Sequence, residues 1–304
     1  MSILTDTKLV EQAMKETGLS ENQVLFLVSR SALVRYLSEN FPDRFWLKGG
    51  ALLYHVYDSS RVSFKDTDLA DISEHMVAVP ELMQIFTVEG DGFYINGQNG
   101  SWTTDAEIMS GRLPFSISGF KSIREKDRMK ISVSVRYSEV LDVQPKMIYD
   151  SKGLLYGIQK WEVNGLSLEE MAAEKVLGWC LKTNLYKHYA DLAIIKRDHG
   201  QTLDSEKFQE LLIKKVEIEK NSEESKPLYQ ALRVESTKDL SRLIRNDKKI
   251  KTARQAWNQA ITLDVLFKKE ERNRVDSFMA FENVDKIIQD FWEPLIKGSK
   301  EISL

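Results

Sequence analysis

Phe45-Trp46-Leu47-Lys48-Gly49-Gly50, followed after a short helical pattern by Arg61-Val62-Ser63-Phe64-Lys65-Asp66-Thr67-Asp68-Leu69, is the stretch on which the fold turns. Phe45 to Leu47 is an apolar run of strand type, stopped by paired glycines. With no Cβ at Gly49 or Gly50, backbone N–H groups can approach a triphosphate closely. Ala51 to Tyr57 resumes a helical spacing, and a helix there brings its positive N-terminal end to the same phosphates. Thr67 to Ile72 reads as a second short strand with Asp66 at its mouth. Two residues apart on a strand, Asp66 and Asp68 point to one face. Such a pair is a hard-oxygen site for Mg2+ (or Mn2+), which keeps water and substrate phosphates as its other ligands. Alone, a Gly-Gly pair is usually a tight turn and an Asp-x-Asp usually a loop; together and in this order they are far more telling.

Outward from this core the chain divides by texture. Its first forty residues read as two helices broken at Gly18-Leu19-Ser20, with Ser20 an N-cap and apolar residues from Leu25 to Leu37 at helical spacing. From about Gly90 to Val163 glycines and asparagines punctuate short β-rich runs: Phe93–Ile95, Leu113–Phe120, Ile131–Tyr137 and Trp161–Val163. In the third run Ile131, Val133 and Val135 alternate with Ser132, Ser134 and Arg136, the pattern of a half-buried strand. After Gly165 the pattern is helical to the end, opening on the capping-box-like Ser167-Leu168-Glu169-Glu170. A domain boundary is therefore expected near Gly165, giving residues 1–165 and 166–304.

Composition narrows the class. The chain has 304 residues, 42% apolar and 29% charged, ordinary for a globular protein of two domains. No apolar run approaches the roughly 20 residues needed to cross a bilayer, and the N-terminus lacks the layout of a secretory signal, so a cytoplasmic protein with no membrane partner is expected. The single cysteine, Cys180, excludes an internal disulfide and reads as a buried small hydrophobe. His55, His75, His188 and His199 lack metal-ligand spacing, and neither a P-loop nor a Rossmann fingerprint occurs. Although the net charge is −3, seven basic residues stand against two acids between Lys238 and Arg254. That segment, with Lys248, Lys249 and Lys251 at its heart, is either a phosphate-backbone footprint or a solvated helix face. Trp257 beside it reads as core, with base stacking the alternative.

The two elements around Gly49-Gly50 and Asp66/Asp68 resemble those of the AbiEii/AbiGii-type nucleotidyltransferase toxins, within the polymerase-β-like nucleotidyltransferase superfamily. Leu47-Lys48-Gly49-Gly50-Ala51-Leu52-Leu53 is similar to the family's Leu-Lys-Gly-Gly-Thr-Ala-Leu element, and Arg61 through Asp68 to its Arg, small hydroxyl residue and Asp-x-Asp. Ala173-Glu174-Lys175 and Tyr189-Ala190-Asp191-Leu192 match two further elements downstream, so the likeness covers roughly residues 40 to 200. Ala51 stands where the family has Thr or Ser, and one extra residue separates Arg61 from Asp66. Where many superfamily members carry a third carboxylate, the strand around Lys130 to Arg136 offers Ser132 and Ser134, with Asp142 just beyond.

The resemblance implies an α/β (α+β) nucleotidyltransferase core with a mixed sheet, followed by a C-terminal α-helical bundle. It implies transfer of a nucleoside monophosphate from an NTP to an acceptor hydroxyl, with pyrophosphate released. Asp66 and Asp68 would hold the metal, Gly49 and Gly50 cradle the phosphates, and Lys48 and Arg61 add positive charge. Lys175 and Asp191 complete the catalytic set, reaching back from the first bundle helices. Asp191 would orient Lys175 or the acceptor, or merely pair with Lys187 or His188. A toxin of a bacterial toxin–antitoxin or phage-defence pair follows, with a cognate antitoxin and the 3′ end of a tRNA as acceptor. Transfer to a protein or small molecule, and a binding protein that keeps the fold without turnover, are the alternatives.

Overall fold

The computed structural model describes residues 7–59, 66–73, 78–90, 92–105, 108–117, 130–137, 140–152, 154, 159–181, 186–222, 225–244, 247–262 and 280–298. They form two compact units that meet in the sequence between Leu166 and Ser167. Among the described residues no helix is long and apolar enough to cross a membrane.

The first unit opens with helices α1 (Thr7–Thr17) and α2 (Glu21–Asn40). Gly18, at φ 70°, ends α1, and Ser20 starts α2 with a full capping box closed by Gln23. The middle of α2, from Val24 to Val34, is buried on all sides. Then follow β1 (Phe45–Lys48), α3 (Gly49–His55), β2 (Asp66–Asp71) and α4 (Val79–Ile85). Seven more strands complete the unit: β3 (Val88–Gly90), β4 (Phe93–Ile95), β5 (Ser101–Asp105), β6 (Ile108–Ile117), β7 (Lys130–Tyr137), β8 (Val143–Asp150) and β9 (Lys160–Leu166).

These strands make one sheet in the order β3-β4-β6-β7-β2-β1-β9-β8, with β5 paired to β6. β1 runs parallel to β9 and β2 parallel to β7, and the remaining pairs are antiparallel, so the sheet is mixed as expected. Strand alternation sends Leu69, Val133, Val135, Met109 and Leu113 into the core. Asp66 opens β2, at the mouth of the strand as expected, and β6 begins at Ile108, before the run read from Leu113. Strands β3, β5 and β8 had no counterpart in the sequence reading.

Every described element after Leu166 is helical: α5 (Leu168–Leu181), α6 (Tyr186–His199), α7 (Ser205–Asn221), α8 (Lys226–Leu232), α9 (Thr237–Ile244), α10 (Asp247–Thr262), α11 (Phe281–Ile287) and α12 (Glu293–Gly298). A π-helical turn, Ile288–Trp292, joins the last two. Ser167 caps α5 through its Oγ, which accepts from the Glu170 N–H at 3.0 Å. Helix α5 packs on α6, α7 and α9 around Trp179, Phe208 and Leu240, and Cys180 is buried there. Trp257, at 1% exposure, packs its ring on Phe281 in the core, which rules out its stacking on a base.

The Glu170 side chain also serves an ion pair. Wholly buried, it pairs at 2.8 Å with Lys215 of α7, which also reaches Glu174 at 3.2 Å. Burial alone would lower the Lys215 pKa, but Glu174 and Glu170 outweigh it and hold the ammonium above its ordinary value. A group raised on folding stabilises at every pH below its unfolded pKa, so this contribution persists at neutral pH and fades only as pH climbs through the folded value. Lys215→Met strands Glu170 as an uncompensated buried charge and should cost about 3 kcal/mol in urea unfolding at pH 7. An unchanged midpoint would mean that the pair contributes nothing.

Candidate active site

The sheet register assembles a polar surface around Asp66 and Asp68. On β7, Ser132 lies beside Asp66 and Ser134 beside Asp68. β6 extends these rows with Arg112 opposite Ser132 and Ser110 opposite Ser134, and β5 with Ser101 opposite Arg112 and Thr103 opposite Ser110. Directly paired residues share a face, so all eight side chains look the same way. They line an open pocket of about 480 Å3.

On the other side of β2, Lys48 sits opposite Asp68 in the β1 register and shares its face. The chain turns at once through Gly49, whose φ of +67° is left-handed. A Cβ built on Gly49 would lie 2.2 Å from Asp68 Oδ2, an impossible approach. Backbone and carboxylate thus meet with nothing between them, which couples the two elements quoted at the outset. Ala51, where a hydroxyl was expected by resemblance, is wholly buried in α3.

Arg30 was not foreseen. Wholly buried in α2, it donates from Nη2 to the Asp66 carbonyl at 3.1 Å and lies 4.8 Å from the Phe26 ring centroid. Nε and Nη1 are buried without a hydrogen-bond partner among the described residues. Burial pulls its pKa below the usual arginine value, while Tyr149, Asp68 and Asp66 favour the charged form. The one signal for it in the sequence is a lone arginine inside the apolar run from Val24 to Val34.

Two other described acids of this unit lie elsewhere. Asp71, on the opposite face of β2, is 3% exposed, accepts from Ser73 and pairs with Arg44. Asp142 precedes β8, the far edge strand, and does not line the pocket. Among the described residues no third His, Cys, Asp or Glu joins Asp66 and Asp68. Two adjacent carboxylates among hydroxyls fit a hard divalent cation that keeps several water or phosphate ligands, and do not fit a closed protein cage. Arg61, the expected phosphate contact, lies outside the described residues.

In the second unit Lys175 of α5 and Asp191 of α6 form an ion pair at 2.8 Å, with the Lys175 side chain 14% exposed and Asp191 1%. Asp191 is thus within ion-pair reach of Lys175, as orienting that lysine requires. Trp179 and Tyr189 pack 4.0 Å apart, Tyr189 donates to Asp285, and Trp292 Nε1 donates to the Leu192 carbonyl at 3.0 Å, all fixing α6. Along the basic segment, Arg242 donates to the Leu232 and Arg233 carbonyls at the end of α8, and Arg254 lies over Phe281, so both serve the fold. Lys248 and Lys251 are exposed on α10; the side chain of Lys249 and all of Arg245 lie outside the described residues.

No relative among curated proteins matches this sequence. Among solved structures the chain is similar to MenT4, a nucleotidyltransferase toxin from Mycobacterium tuberculosis H37Rv. The TM-score is 0.57 and the identity 16%, over 96% of this chain and 94% of that one, a likeness of fold. The family model described as "Nucleotidyl transferase AbiEii toxin, Type IV TA system" matches residues 31–281, which include the Gly49-Gly50 turn, the Asp66/Asp68 strand and the Lys175–Asp191 pair. The chain therefore belongs to the AbiEii family of nucleotidyltransferase toxins of type IV toxin–antitoxin systems.

Proposed function

We propose that this NTP-dependent nucleotidyltransferase moves a nucleoside monophosphate onto a hydroxyl at the 3′ end of a tRNA and releases pyrophosphate. The observation that carries the reading is the meeting of Gly49 and Asp68, where backbone and carboxylate touch with no side chain between them. Gly49 and Gly50 cradle the phosphates, and Lys48 and Arg61 add positive charge. Lys175, oriented by Asp191, supplies a further cation as negative charge develops on the leaving group. Asp66 and Asp68 would hold Mg2+ or Mn2+, whose contribution when bound is to neutralise phosphate charge. Residues 1–165 serve as the nucleotidyltransferase domain and 166–304 as a helical-bundle domain. The cytoplasm is the proposed site of action, and the family implies a cognate antitoxin that restrains it.

Incubation with Mg2+, each labelled NTP in turn and total tRNA tests the reading directly. Asp66→Asn and Asp68→Asn should each lower transfer by about 100-fold or more with folding unchanged by circular dichroism. Gly49→Ala should do the same, because its Cβ displaces the Asp68 carboxylate, at a folding cost of about 1–2 kcal/mol for the left-handed backbone. Near wild-type labelling by the double Asp variant would sink the carboxylate assignment.

The lysines of α10 are assigned to the tRNA backbone. Replacing Lys248, Lys249 and Lys251 by Ala should weaken tRNA binding about equally for different tRNAs and flatten its salt dependence by up to about three contacts' worth. Unchanged affinity and slope would make this stretch a solvated helix face.

A further inference from the structure

The polar floor does not stop at the carboxylates. From Asp68 it continues through Ser134 and Ser110 to Thr103, and from Asp66 through Ser132 and Arg112 to Ser101. With neighbouring strands about 4.8 Å apart, Arg112 is rooted roughly 10 Å from Asp66, two strands away. Among the described residues the lining holds five hydroxyls and one guanidinium, with no aromatic ring and no acid beyond Asp66 and Asp68. Arg112 is exposed, and among the described residues no carboxylate pairs with it.

The two flanks of the carboxylate pair differ in chemistry. Toward β1 stand Lys48 and the glycine backbone that meets Asp68; toward β7, β6 and β5 stand hydroxyls and Arg112. Displacement at phosphorus places the entering and leaving oxygens roughly in line, hence on opposite sides of the reacting atom. With the triphosphate on the glycine flank, the entering oxygen arrives from the hydroxyl flank. There it bonds to the α-phosphorus as the bond from that phosphorus to the pyrophosphate oxygen breaks, and its proton passes to water.

We propose that this floor is the acceptor subsite, and that it holds an RNA end by ribose and phosphate without reading its bases. Serine and threonine hydroxyls both donate to and accept from sugar hydroxyls, while Arg112 offers a phosphodiester its paired donors. Single-stranded bases are read by stacking on aromatic rings, and the described lining has none. The inference rests on the donor reading for Gly49 and Gly50, and binding measured apart from turnover separates the two.

The test titrates the full chain with labelled oligo(A), oligo(U) and total tRNA, and separately with a non-hydrolysable NTP. Wild type should bind the two oligonucleotides within a few-fold of each other. Arg112→Ala should weaken every RNA about tenfold and reduce the salt slope by about one contact's worth, leaving NTP affinity unchanged. Arg112→Lys should restore the slope. A variant that loses NTP affinity while RNA binding holds would place the floor on the donor side and overturn the proposal. Unchanged binding of both ligands would overturn it too, as would a strong preference for one oligonucleotide, or wild type that ignores RNA and labels a protein. The Asp66→Asn/Asp68→Asn double variant should keep RNA binding while losing transfer. If transfer persists there, the carboxylate reading fails and the floor is judged on its binding alone.

Discussion

The antiparallel register that sets Lys48 against Asp68 places the chain reversal of Gly49 directly on a carboxylate. Only a residue without a side chain, at a backbone angle glycine adopts freely, satisfies both demands. The parallel pairing of β2 with β7 then aligns two serines with two aspartates, and β6 and β5 carry the rows outward. A one-residue slip of β2 would turn both acids into the core and bring Thr67 and Leu69 to the pocket. Packing on the apolar face therefore enforces chemistry on the polar one.

Both units bury charge, and each does so against an opposite charge or a backbone dipole. Lys215 is held between Glu170 and Glu174, and Asp191 by Lys175. Removing one partner of such a pair costs more than the pair is worth, because the other is left desolvated. The Lys175–Asp191 pair has a structural job whatever it does for the reaction. Substitutions there mix stability with turnover, whereas Asp66 and Asp68, on the open face of the sheet, separate the two.

Local signals in the sequence were legible because they depend on near neighbours: the Ser20 N-cap, the period-two placement of Asp66 and Asp68, the β7 alternation, the Ser167 cap. What depends on pairing between distant segments was not. Ser101, Thr103 and Arg112 look like ordinary polar loop or strand residues until β5 and β6 are laid beside β7. Strand β5 has few apolar residues to announce it, since its side chains serve the polar rows. Arg30 broke an apolar pattern without pointing to a partner 36 positions along the chain. Trp257 owed its ambiguity to the cations around it, and core packing settled it.

Arg30 ties the assembly of the first unit to the making of its site. A fully desolvated guanidinium with a single hydrogen bond among the described residues, to the Asp66 carbonyl, is tolerable only while the β2 backbone lies over it. Displacing β2 would strand that cation in hydrocarbon, so the strand pairing that presents the two carboxylates also serves the burial of Arg30.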